Sequence, residues 1–516
     1  MSSTPTPYRV LDLSLLDAEV WWGGAVNDGV QMPFGPVVYQ RDLAGSVAVN
    51  QCAPFLVSNK GRYVWNDQPF AFAFEPGKLH AETSYASEFV VKEGFASLRE
   101  AYLDAARNFF PANGQLPNPL LFTKPQYNTW IELHYEQAQD KVIEYAEAVI
   151  RHGFPPGVLM IDDTWQEDYG NWDFHPKRFP NPKAMVARLH ELGFEVMLWT
   201  CPFVSADSTI FRSLRDQGLL VRGADGDPVM RKWWNGHSAV LDGSNPKAIA
   251  WFMEQLQRLM ADYAIDGFKF DAGDADFYRD ADVTAQPITA NGQTEAWARV
   301  GLGFSLNEYR ACWKCAGLPL VQRLADKSHK WGDTGLASLI PNGLAQGLMG
   351  YAFICPDMIG GGMDSDFYGP TAALDEELFV RSAQCAALFP MMQFSAAPWR
   401  VLSAKNAGYC LETTRLHERL APEIEAIARD AAQTGEPILR HMAYEFPTGG
   451  YEFVADQFML GSEILVAPVI TQGDRRLIRF PAGAWRGDDG SLVHGPTELE
   501  VDAPLSRLPW YRRERA

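Results

Sequence analysis

The sequence predicts an α/β protein in which a (β/α)8 TIM barrel is flanked by an N-terminal β-sandwich and a C-terminal β-sandwich. Strand-like and helix-like runs alternate between residues 121 and 442. Short apolar segments bounded by Gly, Pro or Asn fill both ends of the chain. A Pro-rich stretch at residues 111–125 has linker composition. We therefore expect an N-terminal β-sandwich domain over residues 1–120, a catalytic barrel over 121–442 and a C-terminal β domain over 443–516.

The N-terminal and C-terminal regions show similar local patterns. Residues 35–39 and 69–74 are short, apolar or aromatic runs, which predict strands. A helix is expected at residues 98–109. Near the other end, residues 461–469 and 477–480 predict strands. Residues 481–485 (PAGAW) form a cluster typical of a turn.

The middle of the chain carries eight strand signals and several helix signals. Hydrophobic periodicity distinguishes the two kinds of segment. The predicted helices include residues 137–151, 182–192, 246–263 and 374–388. The predicted barrel strands are residues 129–134, 158–161, 196–200, 267–271, 318–324, 352–354, 391–394 and 437–440.

The amino-acid composition of the chain argues against some classes of binding partner. The formal net charge of −19 argues against nucleic acid and anionic membranes, which both need basic surfaces. The chain contains 16 Trp, and aromatic side chains both line sugar sites and fill cores. No apolar run long enough to span a membrane and no secretory signal are visible, so the expected location is cytoplasmic.

The seven cysteines predict neither a metal site nor a disulfide framework. Cys312 and Cys315 form a lone C-x-x-C on a helix-like stretch, without a second pair or a nearby His cluster. Buried, reduced thiols are the favoured interpretation. No metal ion and no organic cofactor are expected.

The fourth predicted strand ends in a carboxylate. Asp271 follows an alternating run, and Ala272 and Gly273 then break the strand. Barrel enzymes keep their catalytic groups at the carboxyl ends of the strands. The alternative is that Asp271 caps a following helix.

Polar and aromatic residues also collect near the ends of other predicted strands. Each has a structural alternative, because Asp residues form turns, Trp residues fill cores and Arg residues close ion pairs. The pattern suits glycoside hydrolysis, which uses two carboxylates, and Asp271 and Asp333 are the candidates. Their separation, and with it retention or inversion, is not visible in the sequence. The other candidates are Trp130, Asp162, Asp163, Trp199, Lys269, Arg323 and Asp357.

Four segments resemble glycoside hydrolase family 31, the retaining α-glycosidases. They are residues 268–273 (FKFDAG), 331–333 (WGD), 356–361 (PDMIGG) and 457–469 (QFMLGSEILVAPV). The resemblance implies that Asp271 is the nucleophile and Asp333 the general acid/base. We expect a terminal sugar whose hydroxyls are bound by Asp162, Asp163, Lys269, Arg323 and Asp357, within walls formed by Trp130, Trp199 and Trp234.

Further stretches are similar to the branch of that family that contains the myogenesis-regulating glycosidase and resembles α-galactosidases. They are residues 21–25 (WWGGA), 231–236 (RKWWNG), 338–341 (SLIP) and 392–395 (MQFS). Family members that act on glucose or xylose usually carry a His after strand seven, and residues 391–396 contain none. The expected substrate is therefore an oligosaccharide or glycoside with a terminal α-galactose, whose axial hydroxyl the Asp162–Asp163 pair would hold.

Several alternatives stay open from the sequence. The protein could be an α-glucosidase, an α-xylosidase or a sulfoquinovosidase, each of which would use the same mechanism on a different sugar. A homologue that binds carbohydrate without cleaving it belongs to a different class. Transglycosylation and assembly into a homo-oligomer are both compatible with the resemblance.

Overall fold

The N-terminal region of the computed structural model, which describes residues 8–45, 50–368 and 373–514, contains two antiparallel sheets. The strands are β1 (Arg9–Ser14), β2 (Trp21–Ala25), β3 (Tyr39–Asp42), β4 (Gln51–Ser58), β5 (Tyr63–Trp65), β6 (Ala71–Glu75), β7 (Lys78–Thr83) and β8 (Val90–Lys92). One sheet has the order β1-β7-β6-β3, and the other is built on β4, which pairs with β2 and β5. Aromatic side chains pack between them, with the rings of Trp21 and Phe74 6.4 Å apart.

The middle of the chain forms a nearly closed barrel of eight parallel strands, which confirms the predicted fold class. The strands of this region are β9 (Gln126–Asn128), β10 (Val158–Ile161), β11 (Gln166–Asp168), β12 (Asn171–Phe174), β13 (Glu195–Thr200), β14 (Phe203–Val204), β15 (Arg231–Trp233), β16 (Gly236–Val240), β17 (Gly267–Phe270), β18 (Leu306–Tyr309), β19 (Cys312–Trp313), β20 (Gln322–Arg323), β21 (Ile354–Cys355) and β22 (Gln393–Phe394). In spatial order the barrel strands are β22, β9, β10, β13, β17, β18, β20 and β21.

Two of the predicted barrel strands were placed wrongly and one barrel strand was missed, although the predicted number of strands was right. The first barrel strand is β9, and the segment after it, predicted as a strand, is a short helix, Trp130–Leu133. The fifth strand is β18, which the sequence analysis missed. The last predicted strand, residues 437–440, pairs with the C-terminal sheet instead. One missed strand and one false strand therefore cancelled in the count.

The helices follow local sequence signals closely. The helix Leu98–Phe109 has the predicted bounds, and its Ser97 cap accepts a hydrogen bond from the Glu100 N–H. The helix Pro246–Tyr263 also has the predicted bounds, with Asn245 as cap and Pro246 in its first turn. The helices are α1 (Leu98–Phe109), α2 (Leu120–Thr123), α3 (Trp130–Leu133), α4 (Gln139–Arg151), α5 (Pro182–Glu191), α6 (Phe211–Asp216), α7 (Pro246–Tyr263), α8 (Ala290–Val300), α9 (Leu339–Leu348), α10 (Glu376–Ala387), α11 (Pro398–Val401), α12 (Ala404–Thr434) and α13 (Met442–Glu445).

The C-terminal region is rich in β-structure, as predicted, and its strands belong to one connected sheet. The strands are β23 (Leu439–Arg440), β24 (Phe458–Leu460), β25 (Ile464–Val466), β26 (Arg475–Gly487), β27 (Leu492–Asp502) and β28 (Trp510–Glu514). Their order in the sheet is β23-β24-β25-β28-β26-β27. Residues 481–485, predicted as a turn, lie inside the long strand β26. The register shifts between Phe480 and Gly483, so the turn-like residues form a bulge.

The cysteines agree with the expectation of buried thiols. All seven cysteines are buried. Cys312 starts β19, so the C-x-x-C stretch begins in a strand that pairs with β4 and not in the predicted helix. Across residues 8–45, 50–368 and 373–514, none of the helices combines the length and hydropathy that crossing a bilayer requires.

Candidate active site

A cavity of about 270 Å³ lies at the carboxyl ends of the barrel strands. Parallel strands deliver their following residues to the same end of a barrel, which is why side chains from distant segments meet here. Eight of the ten predicted site residues line this cavity: Trp130, Asp162, Asp163, Trp199, Trp234, Lys269, Asp271 and Arg323.

Asp271 stands directly after β17 and has a fixed orientation. Its Oδ2 accepts a 2.8 Å hydrogen bond from Trp199 Nε1, and its Oδ1 accepts one of 2.9 Å from the Ala272 N–H. The helix-cap alternative is wrong, because Asp274 and not Asp271 precedes the short 3₁₀ helix Ala275–Phe277. Trp199 is therefore a wall residue that also anchors the carboxylate.

The charges around Asp271 favour its ionised form. Burial alone would raise its pKa. The nearby cations of Lys269, Arg310 and Arg323 outweigh burial and hold the pKa of Asp271 below its usual range. An ionised carboxylate can act as a nucleophile at neutral pH.

Asp162 and Lys269 form a buried ion pair beside Asp271. Lys269 Nζ donates to Asp162 Oδ2 at 2.7 Å, and both side chains are almost fully buried. Burial opposes the charge on Lys269. The carboxylates of Asp162 and Asp271 nevertheless raise the pKa of Lys269 above its ordinary value, so the ammonium stays charged.

Asp163 is surrounded by donors from three segments. Its Oδ2 accepts a 2.6 Å hydrogen bond from Asn235 Nδ2, and Tyr169 Oη lies 3.2 Å from both carboxylate oxygens. Thr164 N–H donates to Oδ1 at 2.6 Å. Burial and the neighbouring charge of Asp162 raise the pKa of Asp163 to about 7. Asp163 therefore changes its protonation state near neutral pH, unlike an ordinary Asp.

Trp234 is presented by a hairpin that overlies the barrel. Strands β15 and β16 pair antiparallel, and Trp234 and Asn235 form the turn between them. Trp234 is 43% exposed, and the guanidinium of Arg310 lies over its ring at 4.9 Å from the centroid. Trp130, in helix α3, lines the cavity as well. The walls are thus aromatic, as expected for a sugar site.

Asp357 is buried behind the cavity and is not one of its lining residues within the described part of the chain. Its Oδ1 accepts a 2.9 Å hydrogen bond from Arg323 Nη1, and its Oδ2 accepts from the N–H groups of Lys327 and Gly362. Asp357 therefore orients Arg323, whereas the sequence analysis placed it on the sugar hydroxyls.

Asp333 is not brought to the cavity. It is exposed, on a turn in which the Gly335 N–H donates to the Gly332 carbonyl, and it is absent from the lining among the residues described. The carboxylate that lines the cavity after the sixth barrel strand is Asp326, whose Oδ1 accepts a 2.6 Å hydrogen bond from Arg323 Nη1. The three-residue likeness lies in an irregular segment, and it did not point to the aspartate that lines the cavity.

Seven further residues line the cavity that were not among the predicted site residues: Tyr135, Arg310, Asp326, Met358, Gly362, Met363 and Asp364. Arg310 was missed because the strand before it was missed. Recognising residues 306–309 (LNEY) as a barrel strand would have placed Arg310 at its carboxyl end. Asp326 stands three residues after Arg323, close enough to have been weighed as a carboxylate of the same strand end.

Two family models match the chain, and together they cover more than half of it. The model of the glycosyl hydrolases family 31 TIM-barrel domain matches residues 121–312. The model of the glycosyl hydrolase family 31 C-terminal domain matches residues 435–516. The chain belongs to glycoside hydrolase family 31.

The proteins that are similar to this chain in sequence include glycosidases with different names. The chain is similar to the myogenesis-regulating glycosidase of Mus musculus, with 35% identity over 416 residues that make up 77% of this chain and 57% of that protein. It is 24% identical over 480 residues to the alpha-xylosidase XylQ of Lactiplantibacillus pentosus, covering 88% of this chain and 61% of that one. The family 31 chain thus spans about three fifths of the length of these two relatives.

A solved structure shares the fold. A dextranase of glycoside hydrolase family 31 from Flavobacterium johnsoniae, complexed with glucose, superposes with a TM-score of 0.85 at 21% identity. The match covers 98% of this chain and 66% of that chain. At 21% identity this similarity shows a shared fold. It does not indicate which sugar the chain binds.

Proposed function

We propose that this family 31 protein is a retaining, exo-acting α-glycosidase that hydrolyses terminal α-galactosides. The observation that carries the proposal is that Asp271 and Asp326, from two different strand ends, line one cavity of about 270 Å³. That volume lies below the range of roughly 300 Å³ and more that is typical of drug-sized ligand sites. It therefore suits one terminal sugar.

In the proposed mechanism, Asp271 is the nucleophile and Asp326 the general acid/base. Protonated Asp326 donates its proton to the glycosidic oxygen while the ionised Asp271 attacks the anomeric carbon and the leaving group departs. Asp326 then takes a proton from water, which attacks the same carbon and releases the sugar and Asp271. The family resemblance supports retention, because it belongs to retaining enzymes.

Asp326 takes the role that the sequence analysis gave to Asp333. A general acid must lie within hydrogen-bonding reach of the leaving oxygen, and that oxygen is in the cavity. Asp326 lines the cavity, whereas Asp333 is exposed outside it.

The preference for galactose rests on the Asp162–Asp163 pair. Asp162 is held by Lys269, and Asp163 is held by Asn235 and Tyr169, so both carboxyl groups are fixed before a sugar arrives. Fixed acceptors at one edge of the cavity suit an axial hydroxyl. The second candidate is an α-xylosidase, because one relative bears that name and the same mechanism would serve.

The test compares the hydrolysis of 4-nitrophenyl α-D-galactoside, α-glucoside and α-xyloside. Galactoside cleavage is expected to be fastest. Cleavage of only the glucoside or the xyloside would keep the mechanism and refute the specificity. Binding of galactose by calorimetry without turnover of any glycoside would instead identify a carbohydrate-binding homologue.

The catalytic pair is tested with three alanine variants. Asp271→Ala should abolish turnover, and Asp326→Ala should lower it by roughly 10²–10⁴-fold, the usual contribution of a general acid/base. Added azide should partly restore Asp326→Ala and yield the α-glycosyl azide, because azide needs no general base. Asp333→Ala is the matched control and should retain wild-type activity. Loss of activity in Asp333→Ala with an active Asp326→Ala would reverse the assignment.

A further inference from the structure

The joint between the fifth and sixth barrel strands, β18 and β20, consists of one residue pair, Tyr309 with Gln322. The Tyr309 N–H donates to the Val321 carbonyl at 2.8 Å. In a parallel ladder such bonds recur at every second residue, so the next one would run from the Ala311 N–H to the Arg323 carbonyl. The chain leaves the barrel at this point, because β19 pairs with β4 of the N-terminal sheet. The Arg323 carbonyl is therefore left to a donor from outside the barrel.

Gln51, the first residue of β4, supplies that donor. Its Nε2 donates to the Arg323 carbonyl at 2.6 Å and to the Arg310 carbonyl at 2.7 Å. An amide NH2 group carries two hydrogens, one for each carbonyl, and the nitrogen must face them because both partners only accept. Gln51 is fully buried. The Arg310 carbonyl has a further donor in Asn50 Nδ2, at 3.2 Å, so the loss of Gln51 should affect Arg323 more.

Arg323 in turn holds the proposed general acid/base. Its Nη1 donates to Asp326 Oδ1 at 2.6 Å and to Asp357 Oδ1 at 2.9 Å. The Glu308 carboxylate lies beside the same guanidinium, with Oε1 3.4 Å from Arg323 Nε. A general acid must lie within hydrogen-bonding distance of the leaving oxygen, and a misplacement of about 1 Å can cost about 10²-fold in rate. A displaced backbone at Arg323 would therefore weaken acid catalysis by Asp326.

We propose that Gln51 is a positioning residue for the acid/base, because it closes the joint between β18 and β20 and so fixes Arg323 and, through it, Asp326. The inference rests on the proposed function, since it takes Asp326 as the acid/base. It makes the catalytic geometry of the barrel depend on a side chain of the N-terminal sheet. A Gln51 that only stabilised the contact between sheet and barrel would affect the hydrolysis of every substrate alike, so the test must compare substrates.

The experiment measures kcat/KM of Gln51→Met for two galactosides that differ in the leaving group. Met is similar in length to Gln and has no donor. Methanol leaves only when an acid protonates its oxygen, whereas 2,4-dinitrophenolate leaves without a proton. Hydrolysis of methyl α-D-galactoside should fall by roughly 10–10²-fold in Gln51→Met, because it depends on the placement of Asp326. Hydrolysis of 2,4-dinitrophenyl α-D-galactoside should stay near the wild-type value.

Gln457→Met is the matched control. Gln457 is also buried, and its Nε2 donates to the Arg479 carbonyl at 2.9 Å in the C-terminal domain. The variant loses the same kind of bond away from the cavity, so the ratio of the two kcat/KM values should stay that of the wild type.

A second comparison uses the Asp326→Ala background. There, Gln51→Met should lower the hydrolysis of 4-nitrophenyl α-D-galactoside no further, because the group through which Gln51 acts is gone. A further fall would show that Gln51 acts through another group and would contradict the inference.

Equal losses with both galactosides in Gln51→Met would overturn the inference, and so would an unchanged rate with the methyl galactoside. If Gln51→Met does not fold, Gln51→Asn, whose amide is one methylene farther from the carbonyls, should show the same change in the ratio. If the wild type prefers another sugar, the methyl and 2,4-dinitrophenyl glycosides of that sugar are compared instead.

If the wild type cleaves no glycoside, the proposed function fails by itself, and hydrogen–deuterium exchange tests the joint alone. The N–H groups of Gln322 and Leu324 donate to the carbonyls of Phe353 and Cys355, both at 3.0 Å. These two N–H groups should exchange faster in Gln51→Met than in the wild type and in Gln457→Met, because the end of β20 has lost its donor. Unchanged exchange at both would refute the role of Gln51.

Discussion

Replacement of Lys269 by Met tests the buried ion pair under the cavity. Met is similar in length and carries no charge, so the variant removes the ammonium and leaves the Asp162 carboxylate in a site that is closed to solvent. Breaking a buried pair in this way typically costs about 3–5 kcal/mol, because an uncompensated charge remains. Activity should fall as well, since Lys269 is one of the cations that keep Asp271 ionised.

The expected shift in melting temperature follows from the length of the chain. Unfolding entropy is about 2.1 cal/mol/K per residue, which gives roughly 1.1 kcal/mol/K for 516 residues. A loss of about 3–5 kcal/mol therefore lowers Tm by roughly 3–5 °C if the whole chain unfolds together, and by more if the barrel unfolds alone.

The double variant Lys269→Met/Asp162→Asn separates stability from function. It removes both charges, and the amide oxygen introduced by Asp162→Asn can still accept from the Asp163 N–H, as Asp162 Oδ1 does at 2.9 Å. Most of the lost Tm should return, because no buried charge is left unpaired. Turnover should stay low, because neither the cation beside Asp271 nor the proposed sugar acceptor is present. Differential scanning calorimetry and 4-nitrophenyl galactoside hydrolysis measure the two effects on the same samples.

The matched control is the pair Lys78–Asp12, which has the same 2.7 Å separation but is exposed to solvent. Lys78→Met should leave Tm within experimental error, because water screens an exposed pair. Equal Tm values for Lys269→Met and the wild type would refute the argument. So would a double variant as unstable as the single one, since the cost would then come from packing and not from charge.

Four further predictions concern Asp163, Gly273 and the cysteines. The pKa of about 7 at Asp163 should appear in the pH profile of kcat/KM as an ionisation near neutral pH, and Asp163→Asn should remove it; a profile with the same ionisation in the variant would assign it elsewhere. The Asp163→Asn variant should also become more stable relative to the wild type as pH rises from about 4 to 7, because a raised carboxyl pKa costs the folded state stability once the group ionises; parallel Tm curves would contradict this. Gly273→Ala should destabilise the protein by about 2 kcal/mol or more and lower activity, because the residue has φ +75° and a Cβ there would lie 2.2 Å from Trp297 Cδ1; wild-type Tm and activity would contradict this. The native protein should react slowly with Ellman's reagent and show seven thiols after denaturation, because every cysteine is buried and none forms a disulfide; fewer than seven would indicate an oxidised pair.

Local sequence signals were sufficient to predict elements whose start, end and buried face depend on residues that are close together in the chain. The helix Pro246–Tyr263 was predicted with its bounds because the capping Asn245 and Pro246 mark its start and the apolar face continues to its end. The strand β17 was recognised by alternation, and Asp271 by its place after it. The same kind of reasoning placed Asp162, Asp163 and Trp199 at the cavity.

Local signals failed where neighbours across the barrel decide the structure. Strand β18 reads as polar, because it contains Asn307 and Glu308 side by side, and both are buried. Glu308 Oε2 accepts from Gln393 Nε2 at 2.6 Å, and that partner is 85 residues away in the chain. No window of sequence shows such a partner. The polar strand therefore lacked the apolar pattern by which buried strands are recognised.

The sequence by itself determined the family, the barrel, the capped helices and the candidate nucleophile Asp271, because short-range periodicity and contiguous motifs encode them. The tertiary structure decided that Asp326 and not Asp333 lines the cavity, that Asp357 orients Arg323, and that Arg310 is tied to the N-terminal sheet. These assignments depend on which side chains from separate strand ends come within a few ångströms of each other. Hydrogen bonds and charge interactions depend on distance in space, whereas a motif records only distance along the chain.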